Sequence, residues 1–93
     1  MTLRRPPWGE DPILEWDDDN EPHCWEHRVT SFEVDECFEN DYTVMPHPKR
    51  FSEPERYGDR YILLGETNGG RKLFVVVQHV GGDVVRPITA QNR

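Results

Sequence analysis

Residues 57–90 read YGDRYILLGETNGGRKLFVVVQHVGGDVVRPITA, and this stretch decides the fold. Three runs within it, Arg60 to Gly65, Lys72 to His79 and Val84 to Thr89, are rich in β-branched and aromatic residues and predict strands. Asn68-Gly69 and Gly81-Gly82 fall between them, and both pairs tolerate the positive φ that a two-residue hairpin turn requires. The expectation is a three-stranded antiparallel meander. A first turn at Asn68-Gly69 sets Glu66 opposite Arg71, a favourable cross-strand pair. Counting onward, Arg60 faces Val77 and Val77 faces Arg86, so two arginines flank the central strand in one row, with His79 diagonal to Arg86 on the same face. With strands about 4.8 Å apart, the arginine Cα atoms lie roughly 10 Å apart, a span that a phosphodiester and its neighbour bridge. A slip of one residue breaks this row.

The central run is apolar on both faces, Leu73, Val75 and Val77 on one and Phe74 and Val76 on the other, so both require cover. Pro87 has no N–H for a ladder, which predicts that the last strand is an edge.

Upstream, Pro12 to Trp16 reads as a short strand running into the acidic cluster Asp17-Asp18-Asp19-Asn20. A helix starts there, with Asp17 or Asn20 as N-cap and Pro22 harmless in its first turn. Thr30-x-x-Glu33 is a capping box and opens a second helix over Ser31 to Glu39, with Val34, Cys37 and Phe38 at helical spacing. Tyr42 to Met45 suits another strand. Pro46 to Arg56, with three prolines, reads as an exposed mobile loop, and residues 1–11 as a flexible tail. The expected class is α+β: one domain over residues 12–93, with two N-terminal helices packed on an antiparallel sheet that ends in the meander.

A chain of 93 residues holds one core. At 34% hydrophobic and 31% charged it is thin in apolar material, so a partner, or a second copy on an uncovered sheet face, would supply some burial. Net charge is −7, but unevenly distributed: residues 1–55 carry 5 basic and 15 acidic side chains, residues 56–93 carry 6 and 3. Non-specific nucleic-acid binding by the whole surface is thereby disfavoured, while a basic sheet beside acidic helices suits an RNA on one face and a basic protein on another. Two cysteines without CxxC spacing, and no apolar h-region or run of about 20 apolar residues, predict a reduced, cytoplasmic protein that neither enters nor crosses a membrane.

The pattern W-D-x-x-N-x-x-H-x-x-x-H-x-V, here Trp16, Asp17, Asn20, His23, His27 and Val29, resembles the opening of BrnT-type toxins. The likeness continues through R-Y-x-x-x-G at Arg60, Tyr61 and Gly65, the valine run Val75-Val76-Val77, and R-x-I-T-A at Arg86, Ile88, Thr89 and Ala90. It covers about residues 13 to 90. The resemblance implies a RelE-like fold, metal-independent cleavage of RNA with mRNA as the expected target, no cofactor, and neutralisation by a BrnA-like ribbon-helix-helix antitoxin. Three departures stand out. Arg28 holds the position of an expected glycine, Gln91 replaces an arginine, and the sequence stops at Arg93 where such toxins continue into a basic helix. A degenerate toxin fold that only binds its partner is the alternative implied.

Cleavage through attack by the ribose 2′-hydroxyl requires a base, an acid and cationic stabilisation of the phosphorane. Arg86 and Arg60 are the candidates for stabilisation and His79 for the acid or base. Lys49 and Trp16 join Arg60 and Arg86 as RNA contacts, and His47 lies in the same loop as Lys49. Each has a plainer reading: arginines paired with acidic helices, a solvated hairpin histidine, a packed tryptophan. His23 and His27, spaced i, i+4, form a zinc-binding alternative whose third ligand would be Cys24, His47 or a carboxylate.

Overall fold

The computed structural model describes residues 2–93. In chain order the elements are β1 (Ile13–Leu14), α1 (Asn20–Trp25), α2 (Ser31–Glu39), β2 (Thr43–Pro46), a 3-10 turn (Pro48–Arg50), α3 (Pro54–Tyr57), β3 (Arg60–Glu66), β4 (Lys72–Gly81) and β5 (Val84–Asn92). The five strands form one sheet in the order β1-β5-β4-β3-β2. The class is α+β, and the meander is its centre. The sheet is mixed rather than antiparallel, because β1 pairs parallel with β5 through Ile13↔Val84 and Leu14↔Val85.

The register departs from the counted one by a single residue at both turns. Around the first turn, Thr67 N donates to Arg71 O and Gly70 N to Thr67 O, making a three-residue loop that Gly70 completes at φ +87°. Glu66 therefore pairs with Lys72, not with Arg71. At the second turn, a bulge at the exposed Val80 separates His79↔Val85 from Gly81↔Val84. The row that results is Arg60↔Gln78↔Arg86. Gln78 replaces Val77 at its centre, and His79, one residue on, faces the opposite side of the sheet.

The helices cover one face only. Leu73, Val75 and Val77 are buried against Cys24, Val34 and Cys37 of α1 and α2, whereas Phe74, Val76 and Gln78 on the reverse face are half-buried. Both cysteines are free and buried, and burial pushes each thiol up to about 11. Pro87 does not make β5 an edge along its whole length. β1 pairs only as far as Val85, and beyond it Asn20 Nδ2 donates to the Pro87 carbonyl at 2.8 Å.

Local chemistry explains the helix ends. Thr30 Oγ1 accepts from Glu33 N at 3.2 Å while Glu33 Oε1 accepts from Thr30 N at 3.0 Å, completing the capping box at the expected start of α2. α1 ends in a Schellman arrangement, with Val29 N on Cys24 O, Arg28 N on Trp25 O and Arg28 at φ +61°. The position where the resemblance places glycine is thus one whose backbone favours glycine. Arg71 ties these two ends together, donating to Glu33 Oε2 and to the Arg28 carbonyl, both at 2.8 Å. Burial raises the Glu33 carboxyl, but hydrogen bonds from Thr30 and the Arg71 pair outweigh it and hold the group below its ordinary value.

Two stretches expected to be irregular are built into the fold. Pro48 and Pro54 each sit in the first turn of a helical segment, where their missing N–H is no loss, so the expected loop contains the 3-10 turn and α3. In the expected tail, Trp8 is 2% exposed. Its indole donates to Tyr42 OH at 3.0 Å and meets Tyr61 edge-on at 5.8 Å, which gives the thin core an extra aromatic. No helix among the described residues is long and apolar enough to cross a membrane.

Candidate functional site: a basic corner around Tyr57

Where β2 ends and β3 begins, the chain makes a detour from His47 to Asp59. His47 N donates to Arg60 O at 3.0 Å, closing the base of the detour. The 3-10 turn is capped by His47, whose Nδ1 accepts from Lys49 N at 3.1 Å, and its last carbonyls are taken up locally, Glu53 N donating to Lys49 O at 2.7 Å. α3 then delivers Tyr57 into the middle of the corner.

The His47 ring stacks on Tyr57 at 4.6 Å between centroids, with 26° between planes. Three cations surround the same phenol: Arg56 at 5.4 Å, Lys49 at 5.5 Å and Arg60 at 5.8 Å from the ring centroid. A fourth, Arg50, lies 5.8 Å from the neighbouring Tyr61 ring. None of the four forms an ion pair among the described residues, although Glu53, Glu55 and Asp59 belong to the same stretch. Asp59 instead accepts from Gln78 Nε2 at 2.9 Å. Arg60 Nε is buried without a hydrogen-bond partner, a cost that an incoming acceptor would relieve. Burial, then the charges of Lys49 and Arg60, push the His47 pKa down, so the ring is neutral near pH 7. A neutral ring that accepts at Nδ1 carries its proton on Nε2. The corner thus presents several uncompensated cations and a neutral imidazole donor, a set suited to a phosphate.

Arg60 and Lys49 are brought together here. Arg86 is not free in the same way: at the other end of its row it donates to both carboxylate oxygens of Asp17 and, at 3.2 Å, to Glu15 Oε1. Arg86 hydrogen bonding holds the Asp17 carboxyl far below the usual carboxylate range, helped by the Asp19 and Asn20 N–H groups. His79 sits on the helix side, its ring 6.1 Å from Trp8 and its Nε2 2.7 Å from the Gly82 carbonyl oxygen. Trp16 donates to Asp35 Oδ1 at 3.1 Å and lines a cleft of about 620 Å³ with Glu10, Asp11, Asp35 and Glu39, walls that repel phosphate.

The residues that carried the family likeness at the N-terminal end form a structural knot. Asn20, 3% exposed, accepts from Asp17 N and donates to the carbonyls of Glu15 and Pro87, all at 2.8 Å, fastening the exit of β1 to the start of α1 and to β5. Asp17 bonds Arg86 across the same knot. His23 and His27 do not share a helical face, since α1 ends at Trp25 and His27 lies in the following turn; His23 Nδ1 is 3.6 Å from Glu26. Among the described residues no three His, Cys, Asp or Glu side chains gather as a metal site would require.

Tyr57, Arg56 and Arg50 are absent from the sequence-derived candidates. Their signal was present in residues 47–61, HPKRFSEPERYGDRY, where basic and aromatic residues alternate and two prolines are spaced to open successive helical turns.

Comparison with known proteins adds no identity to this geometry: no family model matches the chain, and no curated protein and no solved structure matches it.

Proposed function

We propose that this chain is an RNA-cleaving toxin domain of the BrnT kind, acting without a metal ion on single RNA strands such as mRNA and held inactive by a ribbon-helix-helix antitoxin. The observation that carries the reading is the corner around Tyr57, where Lys49, Arg50, Arg56 and Arg60 stay unpaired on a protein of net charge −7. Cations in such number repel one another, and an unpaired cluster is most readily explained by a polyanion that neutralises it. In the proposed reaction the 2′-oxygen bonds to the adjacent phosphorus and the bond from phosphorus to the 5′-oxygen breaks. The 2′-hydroxyl proton passes to a base, and the leaving oxygen takes a proton from an acid. Arg60 and Lys49 stabilise the phosphorane and the neutral His47 ring donates an Nε2–H hydrogen bond to a phosphate oxygen, while solvent water takes up the first proton and supplies the second. The acidic surface of residues 1–55 suits a basic antitoxin.

The test is cleavage of an unstructured RNA in EDTA by wild type, Arg60→Ala and His47→Ala. Wild-type cleavage, reduced about a hundredfold or more by either substitution, is the expected result. A folded wild type that leaves the RNA intact removes the enzyme reading.

One observation favours a second reading, a non-catalytic interaction module. The arginine that the family likeness singles out, Arg86, is occupied by Asp17 and Glu15. Under this reading the corner binds without cleaving.

A further inference from the structure

Among the described residues Phe51 is the most exposed of the large apolar side chains, at 83%. It does not trail from a loose end: it follows the 3-10 turn directly, and the bonds from Ser52 N at 3.2 Å and Glu53 N at 2.7 Å to the Lys49 carbonyl oxygen close the backbone around it. Its chain neighbour is Arg50, and Lys49 reaches the Tyr57 ring from the same turn. Tyr57 itself is half-buried, with His47 stacked on its ring and three cations close to it. Phe51 is the exposed aromatic of this stretch, where His47, Tyr57 and Tyr61 are half-buried. An exposed aromatic beside unpaired cations is what a single nucleic-acid strand uses, its bases stacking while its phosphates find the charges; in a duplex the bases are already stacked on each other and cannot reach a side chain.

We infer that Phe51 is the stacking platform for an unpaired base, so that the corner takes single-stranded RNA and discriminates against duplex. This rests on the reading of the corner as an RNA site and adds the residue that selects an unpaired strand over a duplex. Lys49, Arg50, Arg56 and Arg60 hold the backbone phosphates, and Phe51 supplies the contact that a duplex cannot make.

The experiment is fluorescence anisotropy of the whole chain with two labelled RNAs, one unstructured and one fully paired hairpin, at several salt concentrations. Wild type is expected to prefer the unstructured RNA. Phe51→Ala should weaken that binding about tenfold, within the range found for loss of one base–aromatic stack, and leave the salt dependence unchanged, since no phosphate contact is lost. Phe51→Trp should bind as wild type or tighter. Because the side chain is exposed, Phe51→Ala is expected to fold normally, checked by circular dichroism. Equal binding of both RNAs by wild type, or unchanged binding by Phe51→Ala, overturns the inference while leaving the RNA reading in place. If Phe51→Ala binds RNA normally but changes the association state of the protein, Phe51 is a protein contact and the inference is again overturned. If wild type binds neither RNA, the reading of the corner falls and the inference with it.

Discussion

Arg86 and Asp17, separated by 69 positions in the chain, form a two-pronged ion pair that joins the exit of β1 to the middle of β5. A carboxyl whose folded pKa lies below its ordinary value of 3.8 stabilises the fold above that value, because the unfolded chain binds the proton more readily. The contribution is complete above about pH 5 and drains away as acid titrates the group downward from there. Asp17→Asn, which keeps an oxygen for the Asp19 and Asn20 N–H groups, should lower the thermal midpoint at neutral pH and flatten the acid limb of a stability–pH curve. An acid limb as steep as that of wild type would show that other carboxyls govern it.

Occupation of Arg86 and freedom of Arg60 predict different salt behaviour for two arginines in one row. Arg60→Ala should reduce the slope of log affinity for RNA against log salt by about one, while Arg86→Ala should leave it almost unchanged. Equal loss in both variants would mean that RNA displaces Asp17 from Arg86.

Asn20, itself buried, holds three backbone groups, the Pro87 carbonyl among them buried as well. Asn20→Ala leaves the buried Pro87 carbonyl and the part-buried Glu15 carbonyl short of a donor and should cost about 2 kcal/mol in urea denaturation. A loss below about 1 kcal/mol would mean that water replaces the amide.

Gly65, the glycine of the R-Y-x-x-x-G stretch, lies under α2. A Cβ there would come within 2.8 Å of Cys37 Cβ and 3.1 Å of Leu63 Cδ2, so Gly65→Ala must push the helix off the sheet, at a cost of about 1–3 kcal/mol. A paired Gly65→Ala, Cys37→Gly variant should recover part of the loss only if that contact is the cause.

Arg28 offers the opposite test. A non-glycine residue at φ +61° costs about 1 kcal/mol, and the exposed contact of its guanidinium with Trp25, 5.2 Å to the centroid, returns about 0.5. Arg28→Gly should therefore raise stability by about 0.5 kcal/mol in chemical denaturation.

Where local chemistry decides, the sequence was readable. Thr30 and Glu33 specify the start of α2 by themselves, and Cys24 and Cys37 fall on helices as their surroundings suggested. Register was not readable to the residue, because Asn68-Gly69-Gly70 accommodates a turn of either two or three residues and the choice depends on the bond from Arg71 N to Thr67 Oγ1 as much as on the glycines. Both turns slipped in the same sense, so Arg60 and Arg86 kept a common row, but on the face away from α1 and α2 and without His79. The parallel pairing of β1 rests on two residue pairs, too short to leave a pattern. The corner around Tyr57 was missed because a proline-rich stretch reads as loop, although proline at the first helical position favours the turn it appears to forbid.

Residues 3–13 cross the whole width of the sheet. Leu3 N bonds to Val44 O beside β2 at one edge, Trp8 lies in the core, and Ile13 joins β5 at the other edge. Ile13 and Leu14 have no strand to pair with until Val84 and Val85, some seventy residues later, have been made. The sheet therefore cannot close until β5 has left the ribosome. Until then Trp8 sits on an unfinished surface, and the nascent chain carries its largest core side chain within reach of a chaperone.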